Sequence, residues 1–341
     1  CSLKTKKRML RYLIALGIIL VSLSACRDDF SLEAPAEDIP VIYAYLDAQA
    51  ADNFLRVERV FVDAGGDANS VARNVDSLYY DPEAATVTVS TGNGTVELER
   101  VNGDDFGLER EEGVFAETPN VLYRLSSSDL NLQEGNRVTV NVTTDKGTVA
   151  EASTVLLPEI EVRNPSLEQG INPAVYEAQT TFRWNVGGEE ARVFDVRLYY
   201  NIRELPEGST EFNEVRLEQV IASNLIRTDL ESNVVTVQVG NESIWQFIAD
   251  RLDPNAPVQR IFDNFDLVIV GVGEEVADLI DLSNANSGIT SSQAPPLYTN
   301  VEGGLGVVTS RSIVVREGIP LNSQSRPELR DGQYTGNLNF Q

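Results

Sequence analysis

Histidine is absent from this 341-residue chain, methionine occurs once, and cysteine and tryptophan occur twice each. Without histidine there is no Ser-His-Asp triad, no Cys-His pair and no histidine-ligated metal. Basic residues are scarce: 27 Lys and Arg stand against 52 Asp and Glu, a net charge of −25. Phosphate binding needs clustered cations, so nucleic acid is not an expected partner. Long apolar runs are also few. The main one, Tyr12 to Leu23, is broken by Gly17 and Ser22. At 1.5 Å per residue it is too short to cross a bilayer core of ~30 Å as a helix. What remains, 42% hydrophobic and 23% charged, suffices for one or two globular cores and excludes a disordered or collagen-like chain.

The apolar run does have a definite pattern around it. Lys4, Lys6, Lys7, Arg8 and Arg11 precede it, with no acid before Asp28. A charged segment, a short apolar segment and small residues at its end predict an export signal over residues 1–25. Met9, the only methionine, stands where such a signal begins, so residues 1–8 are expected to lie upstream of the start. The run ends Leu23-Ser24-Ala25-Cys26, which resembles the lipobox of bacterial lipoproteins. That resemblance implies cleavage before Cys26, lipid on its sulfur and amino group, and a membrane anchor. With Cys26 lipidated, no disulfide is possible, and stability rests on the core alone. Removing the signal leaves 22 basic against 52 acidic residues, a net charge of −30. Anionic lipid repels such a body, and the charge also serves solubility.

Arg27-Asp28-Asp29 resembles the acidic export tag after the lipidated Cys of surface-exposed Bacteroidota lipoproteins. Residues 26–37, ending in SLEAPAE, form a tether. From Asp38 onward, short alternating runs separated by turn residues predict a mainly β fold of two sandwich-like domains. An N-terminal β domain is expected over 38–160. Pro40 to Leu46 and Phe54 to Val62 are its first strands. Hairpins follow across Gly92-Asn93-Gly94 and Asp145-Lys146-Gly147, with a short helix or loop at Val71 to Tyr80. Pro158 and Pro165 mark a boundary. A C-terminal domain is expected over 161–315, and a polar tail over 316–341.

In the C-terminal part Phe182, Trp184 and Val186 share one face, then Phe194, Val196, Leu198 and Tyr200 alternate. That pattern resembles immunoglobulin-like and fibronectin type III sandwiches. One or two added helices are expected. The first starts at a capping box on Ser243 with Ile244, Phe247, Ile248 and Leu252 as its stripe. The second spans Glu274 to Ser283 with Val276, Leu279 and Ile280 inward. Phe265 to Val272 reads as a fully buried strand between them.

No constellation here points to catalysis. Gly271-Val272-Gly273 lacks the third glycine of a dinucleotide fingerprint, and Glu274 and Glu275 oppose a pyrophosphate. Gly303-Gly304-Leu305-Gly306 lacks the lysine of a phosphate loop and predicts a positive-φ turn. Asp63, Asp67 and Asn69 sit in a Gly-containing loop but miss the EF-hand spacing, so no metal and no cofactor are expected. The adjacent acids Asp104-Asp105, Glu189-Glu190 and Glu274-Glu275 are expected to be solvated faces. Glycosidase carboxylates must face each other across a sugar, which adjacency does not show. Tyr79-Tyr80 and Tyr199-Tyr200 each put one ring outward if on strands. Asp76-Ser77-Leu78 is similar to the O-glycosylation pattern of exported Bacteroidota proteins, which makes Ser77 a candidate acceptor.

Several stretches together resemble a family of Bacteroidota outer-membrane lipoproteins often encoded beside TonB-dependent receptors. They are the lipobox, PVIYAYLD, DSLYY at Asp76 to Tyr80, and YTNVEGGLGVVTSR at Tyr298 to Arg311. The resemblance implies a lipid-anchored β-sandwich protein of the outer membrane, facing the cell exterior, with no activity to carry over. The leading expectation is a non-enzymatic accessory subunit of an outer-membrane β-barrel complex. An independent glycan- or peptide-binding module is the alternative, and a carboxylate-dependent hydrolase is disfavoured.

Overall fold

Two-residue alternation decides the local structure. In PVIYAYL, the strand β1 (Pro40–Leu46), Ile42, Ala44 and Leu46 are buried while Tyr43 and Tyr45 point the other way. It pairs with β2 (Asp52–Arg59), whose Leu55 and Val57 lie on the same inner face. The computed structural model describes residues 38–60, 71–286 and 297–341. The signal, the tether with Cys26, and Asp63, Asp67 and Asn69 lie outside the described residues.

The first sandwich follows the expected hairpins. β3 (Ala85–Thr91) pairs with β4 (Gly94–Glu97), and β7 (Arg137–Thr144) with β8 (Val149–Val155). These four form one sheet in the order β4-β3-β7-β8. The chain changes sheets at buried Leu98. Beyond it β5 (Glu99–Asn102) joins β6 (Val121–Ser126) in the opposing layer. One core, including Ile42, Leu55, Val87, Val89, Val140 and Ala152, fills the gap.

The second sandwich has the three-plus-four arrangement of a fibronectin type III module. One sheet is β13-β10-β9, from β9 (Glu161–Asn164), β10 (Gln179–Asn185) and β13 (Val234–Gly240). The other holds β11 (Val193–Pro206), β12 (Asn213–Ile226), β14 (Val258–Val272) and β15 (Leu305–Ile319), in the order β12-β11-β14-β15. Phe182, Trp184, Phe194, Val196, Leu198 and Tyr200 are all buried between them, with Trp184 edge-on to Phe194 at 5.4 Å.

Two helices decorate this sandwich at shifted positions. α2 (Asn241–Arg251) follows Gly240, so Ser243 is inside the helix and donates to the Gly240 carbonyl instead of capping. Asn241 is spent on Thr180 and the Val175 carbonyl, which fixes the start. Ile244, Trp245 and Ile248 face the core. α3 (Glu274–Asn286) turns Ala277 inward, while Leu279 is exposed. β14 is half-covered rather than fully buried, because Leu267 and Ile269 point to the core and Val268 and Val270 away from it.

β15 departs most from the expected domain limits. Its first six residues pair in parallel with β1, and residues from Arg311 on pair antiparallel with β14. Val308 therefore belongs to the first core, while Ile319 belongs to the second. A single eight-stranded sheet, β12-β11-β14-β15-β1-β2-β6-β5, runs through both sandwiches. Residues 297–315 are shared between the two sandwiches. Gly306 makes the parallel approach possible: its φ is +111°, and a Cβ there would overlap the Ile42 carbonyl oxygen. Gly303, at φ +73°, is the positive-φ turn residue the sequence predicts.

Residues 316–341 are not a polar tail. After β15 the chain folds through α4 (Arg326–Asp331), and Leu321, Leu329, Leu338 and Phe340 enter the second core. Buried Arg260 fixes this end, donating to the Leu338 carbonyl at 2.8 Å and to the Glu204 carboxylate at 2.8 Å. An ion pair also bonded to backbone offsets the desolvation that would otherwise keep Arg out of a core.

Candidate functional site

Two of the three acid pairs weighed above, Asp104-Asp105, Glu189-Glu190 and Glu274-Glu275, come together in space. Glu189-Glu190 on the β10–β11 loop and Glu274-Glu275 on the first turn of α3 line one cleft of about 340 Å³. Arg137, Ser153 and Thr154 of the first sandwich and Arg192 of the second complete it. Asp104-Asp105 lies apart, in the 3-10 turn Gly103–Phe106. Glu275 accepts from buried Thr309 at 2.7 Å.

Buried Arg227 builds the wall of this cleft, donating to the carbonyls of Gly188, Ala191, Asp229, Leu230 and Ser232. Burial, with Arg192 nearby, lowers its pKa from the usual arginine value. One guanidinium thus sets two loops. With four carboxylates and two arginines, the cleft suits a small polar ligand better than an apolar one.

The second feature is the face of the eight-stranded sheet turned away from both cores. Alternation puts Tyr43 and Tyr45, 45% and 42% exposed, side by side on β1. Burial, with Glu58 and Tyr45 close by, raises the Tyr43 hydroxyl above the ordinary tyrosine value, so it remains a neutral donor. Phe54 packs on Phe106 at 5.2 Å, and Arg124 lies over the Phe106 ring while paired with Asp52 at 2.8 Å. Arg110 bonds both Glu58 and Tyr79, and Arg56 reaches Asn120 at 2.7 Å. Further along the sheet Arg216 stacks on Tyr199 at 4.1 Å and pairs with Asp266 at 3.3 Å. Arg203 binds Asp263 through two bonds of 2.7 Å and covers Phe212. Exposed Val220, Ile313 and Val315 complete the face with half-buried Val268 and Val270. Aromatic residues and arginine dominate it, whereas acids dominate the chain as a whole.

Of the tyrosines the sequence singled out, only Tyr199 presents its ring on this face. Tyr79 and Tyr80 are both buried, because α1 (Val75–Leu78) ends just before them and no strand alternation applies. Tyr200 is buried and Tyr199 is half-covered by Arg216. Tyr43 and Tyr45 were missed, although the period of PVIYAYL carries the signal. Ser77 lies within α1, half-buried, its carbonyl held by Arg59 at 3.3 Å. Gly271 and Gly273 close β14 before α3; a Cβ at Gly271 would meet Ile160 and Phe194, which accounts for it by packing.

No family model and no curated protein matches this chain. Among solved structures it is similar to the C-terminal globular domain of an oligosaccharyltransferase from Pyrococcus abyssi. That match has 11% identity and a TM-score of 0.26 over 69% of this chain, which spans about half (47%) of that one. The FN1–FN3 domains of chicken CNTN1 match at 10% identity and TM-score 0.17, over 68% of this chain and 59% of that one. A bacterial ice-binding adhesin matches at 12% identity and TM-score 0.19, over 84% and 66%. Such similarities do not extend to function.

Proposed function

We propose that this chain is an outer-membrane lipoprotein, anchored through Cys26 and facing the cell exterior, that serves a β-barrel complex as a non-enzymatic accessory subunit. A TonB-dependent transporter is the barrel of choice, by the resemblance of the lipobox and of Tyr298 to Arg311. The observation that carries the reading is the outward sheet face. Interfaces are enriched in aromatic residues and arginine, and here both gather on one rigid sheet of a strongly acidic protein. Its arginines already have carboxylate partners, so contact with a protein does not bury uncompensated charge.

The test is mild-detergent purification from native membranes followed by mass spectrometry. A stoichiometric β-barrel partner is expected, lost on Tyr43→Ala/Tyr45→Ala. Recovery of the lipidated monomer alone refutes the subunit reading. It would favour the second one, a glycan-binding module using Tyr43 and Tyr45, whose spacing of about 7 Å along the strand suits stacking of successive sugar rings. Anchoring has its own test: Cys26→Ala should move the protein to the soluble fraction, and unchanged membrane association would exclude lipidation there.

A further inference from the structure

β12 is the terminal strand of the eight-stranded sheet, and among the described residues no strand pairs with its outer edge. Exposed edges are usually blunted by charged side chains, lysine above all, by proline, by short length or by a bulge. β12 is 14 residues long and contains neither lysine nor proline. Its register with β11 is unbroken from Asn213 to Val220, and irregularity begins only toward Ala222. Positive φ at Asn224 belongs to that irregular end. A straight, eight-residue edge from Asn213 to Val220 is therefore left open.

We propose that this edge pairs with the same edge of a second copy, joining two sheets into one sixteen-stranded sheet about a two-fold axis through Leu217. Charge selects that register. With Leu217 opposite its own copy, Arg216 faces Glu218 of the second chain and Glu218 faces Arg216, while Glu214 reaches Val220. Moving the axis to Glu218 sets Glu218 against itself. Moving it to Arg216 sets arginine on arginine and Glu214 on Glu218. Moving it to Val215 keeps a charge match but pairs only five residues, Asn213 to Leu217. A slip that changes parity would turn the inner face of one strand outward. Both charged side chains are already extended on the outer face, Arg216 by Asp266 and Tyr199, and Glu218 by Arg197. Pairing would extend these into a row of alternating charge, from Asp266 through Arg216 to Glu218 and Arg197 of the second copy. Directly opposed unlike charges stabilise an antiparallel pair and like charges oppose it.

Sedimentation and light scattering of the full mature lipoprotein in mild detergent test this. Concentration-dependent dimer is expected. Arg216→Glu and Glu218→Arg, each alone, should raise the dimer dissociation constant on the order of tenfold or more, because like charges then meet at two places. An equimolar mixture of the two variants should recover dimer, since one chain presents two acids and the other two arginines. Fluorescence of buried Trp184 and Trp245 checks that each variant is folded. Wild-type protein that stays monomeric, or a mixture of folded variants that does not dimerise, overturns the proposal. Should a variant fail to fold, cross-linking decides. Leu217→Cys should form a covalent dimer under mild oxidation, while Val220→Cys, opposite Glu214 rather than itself, should not. Equal cross-linking of both, or of neither, overturns the two-fold register.

Discussion

Val308→Ala tests whether the two sandwiches are one cooperative unit. Val308 is fully buried in the first core, yet it is carried by the strand whose other half closes the second. Truncation removes two methylene equivalents at ~0.8 kcal/mol each, and incomplete collapse of the cavity adds to that, for a loss of about 2 kcal/mol. Both tryptophans, Trp184 and Trp245, lie in the second core, so their fluorescence reports that sandwich alone. If β15 couples the two, urea unfolding followed by fluorescence should shift to lower midpoint by the same amount as unfolding followed by circular dichroism. With a urea slope of roughly 3 kcal/mol/M, expected at the upper end for a domain of this size, the shift is about 0.7 M. A tryptophan transition that stays in place while part of the circular dichroism signal moves would refute the coupling. The sandwiches would then be independent domains that merely share a strand.

Three further outcomes are expected. Arg227→Met leaves five carbonyls without their common donor, so hydrogen exchange should accelerate in residues 188–192 and 229–232, with a stability loss of about 3 kcal/mol; unchanged exchange would disprove the role given to Arg227. Phe340→Ala should cost about 3 kcal/mol, read by tryptophan fluorescence on urea unfolding, whereas a solvated tail would give no change. Burial, followed by the charges of Asp278, Glu275 and Glu274, pushes Tyr298 up to about 12. A folded-state value above the ordinary ~10 means that its neutral form is favoured on folding, so this contribution is complete below pH ~10 and is lost as pH rises toward about 12. Tyr298→Phe should flatten alkaline destabilisation in that window, and identical pH profiles would contradict it.

The fold class was legible because strand alternation and turn chemistry are local. β1 appears at its expected bounds, both hairpins of the first sandwich form, and the Trp184 and Phe194 strands face each other as the pattern implies. What was not legible depends on distant partners. Alternation along Leu305 to Ile319 gives a strand, but its parallel mate is some 260 residues earlier, and nothing local selects β1 over β14. Leu338 and Phe340 look isolated in a polar stretch, and only the buried Arg260 shows why that stretch is held. At the candidate site the same limit applies. The acid pairs were visible as pairs, but their meeting across the cleft arises from loops set by Arg227.

The shared strand also decides how the outward face should be understood. Odd-numbered residues of β15 as far as Val315 lie on that face, from Thr309 beside Tyr45 to Ile313 and Val315 beside Val270 and Val268, before a register shift turns Ile319 into the second core. Two domains joined by a linker would present the tyrosines of β1 and the valines of β14 at variable separation. Here fifteen continuous strand residues fix it, at roughly 3.4 Å per residue. Thr309, midway, is buried and bonded to Glu275 at the start of α3, which divides the face into an aromatic part and an aliphatic part. A partner that touches both parts therefore meets a preorganised surface and does not lose interdomain freedom on binding, which favours tight docking from modest contact area.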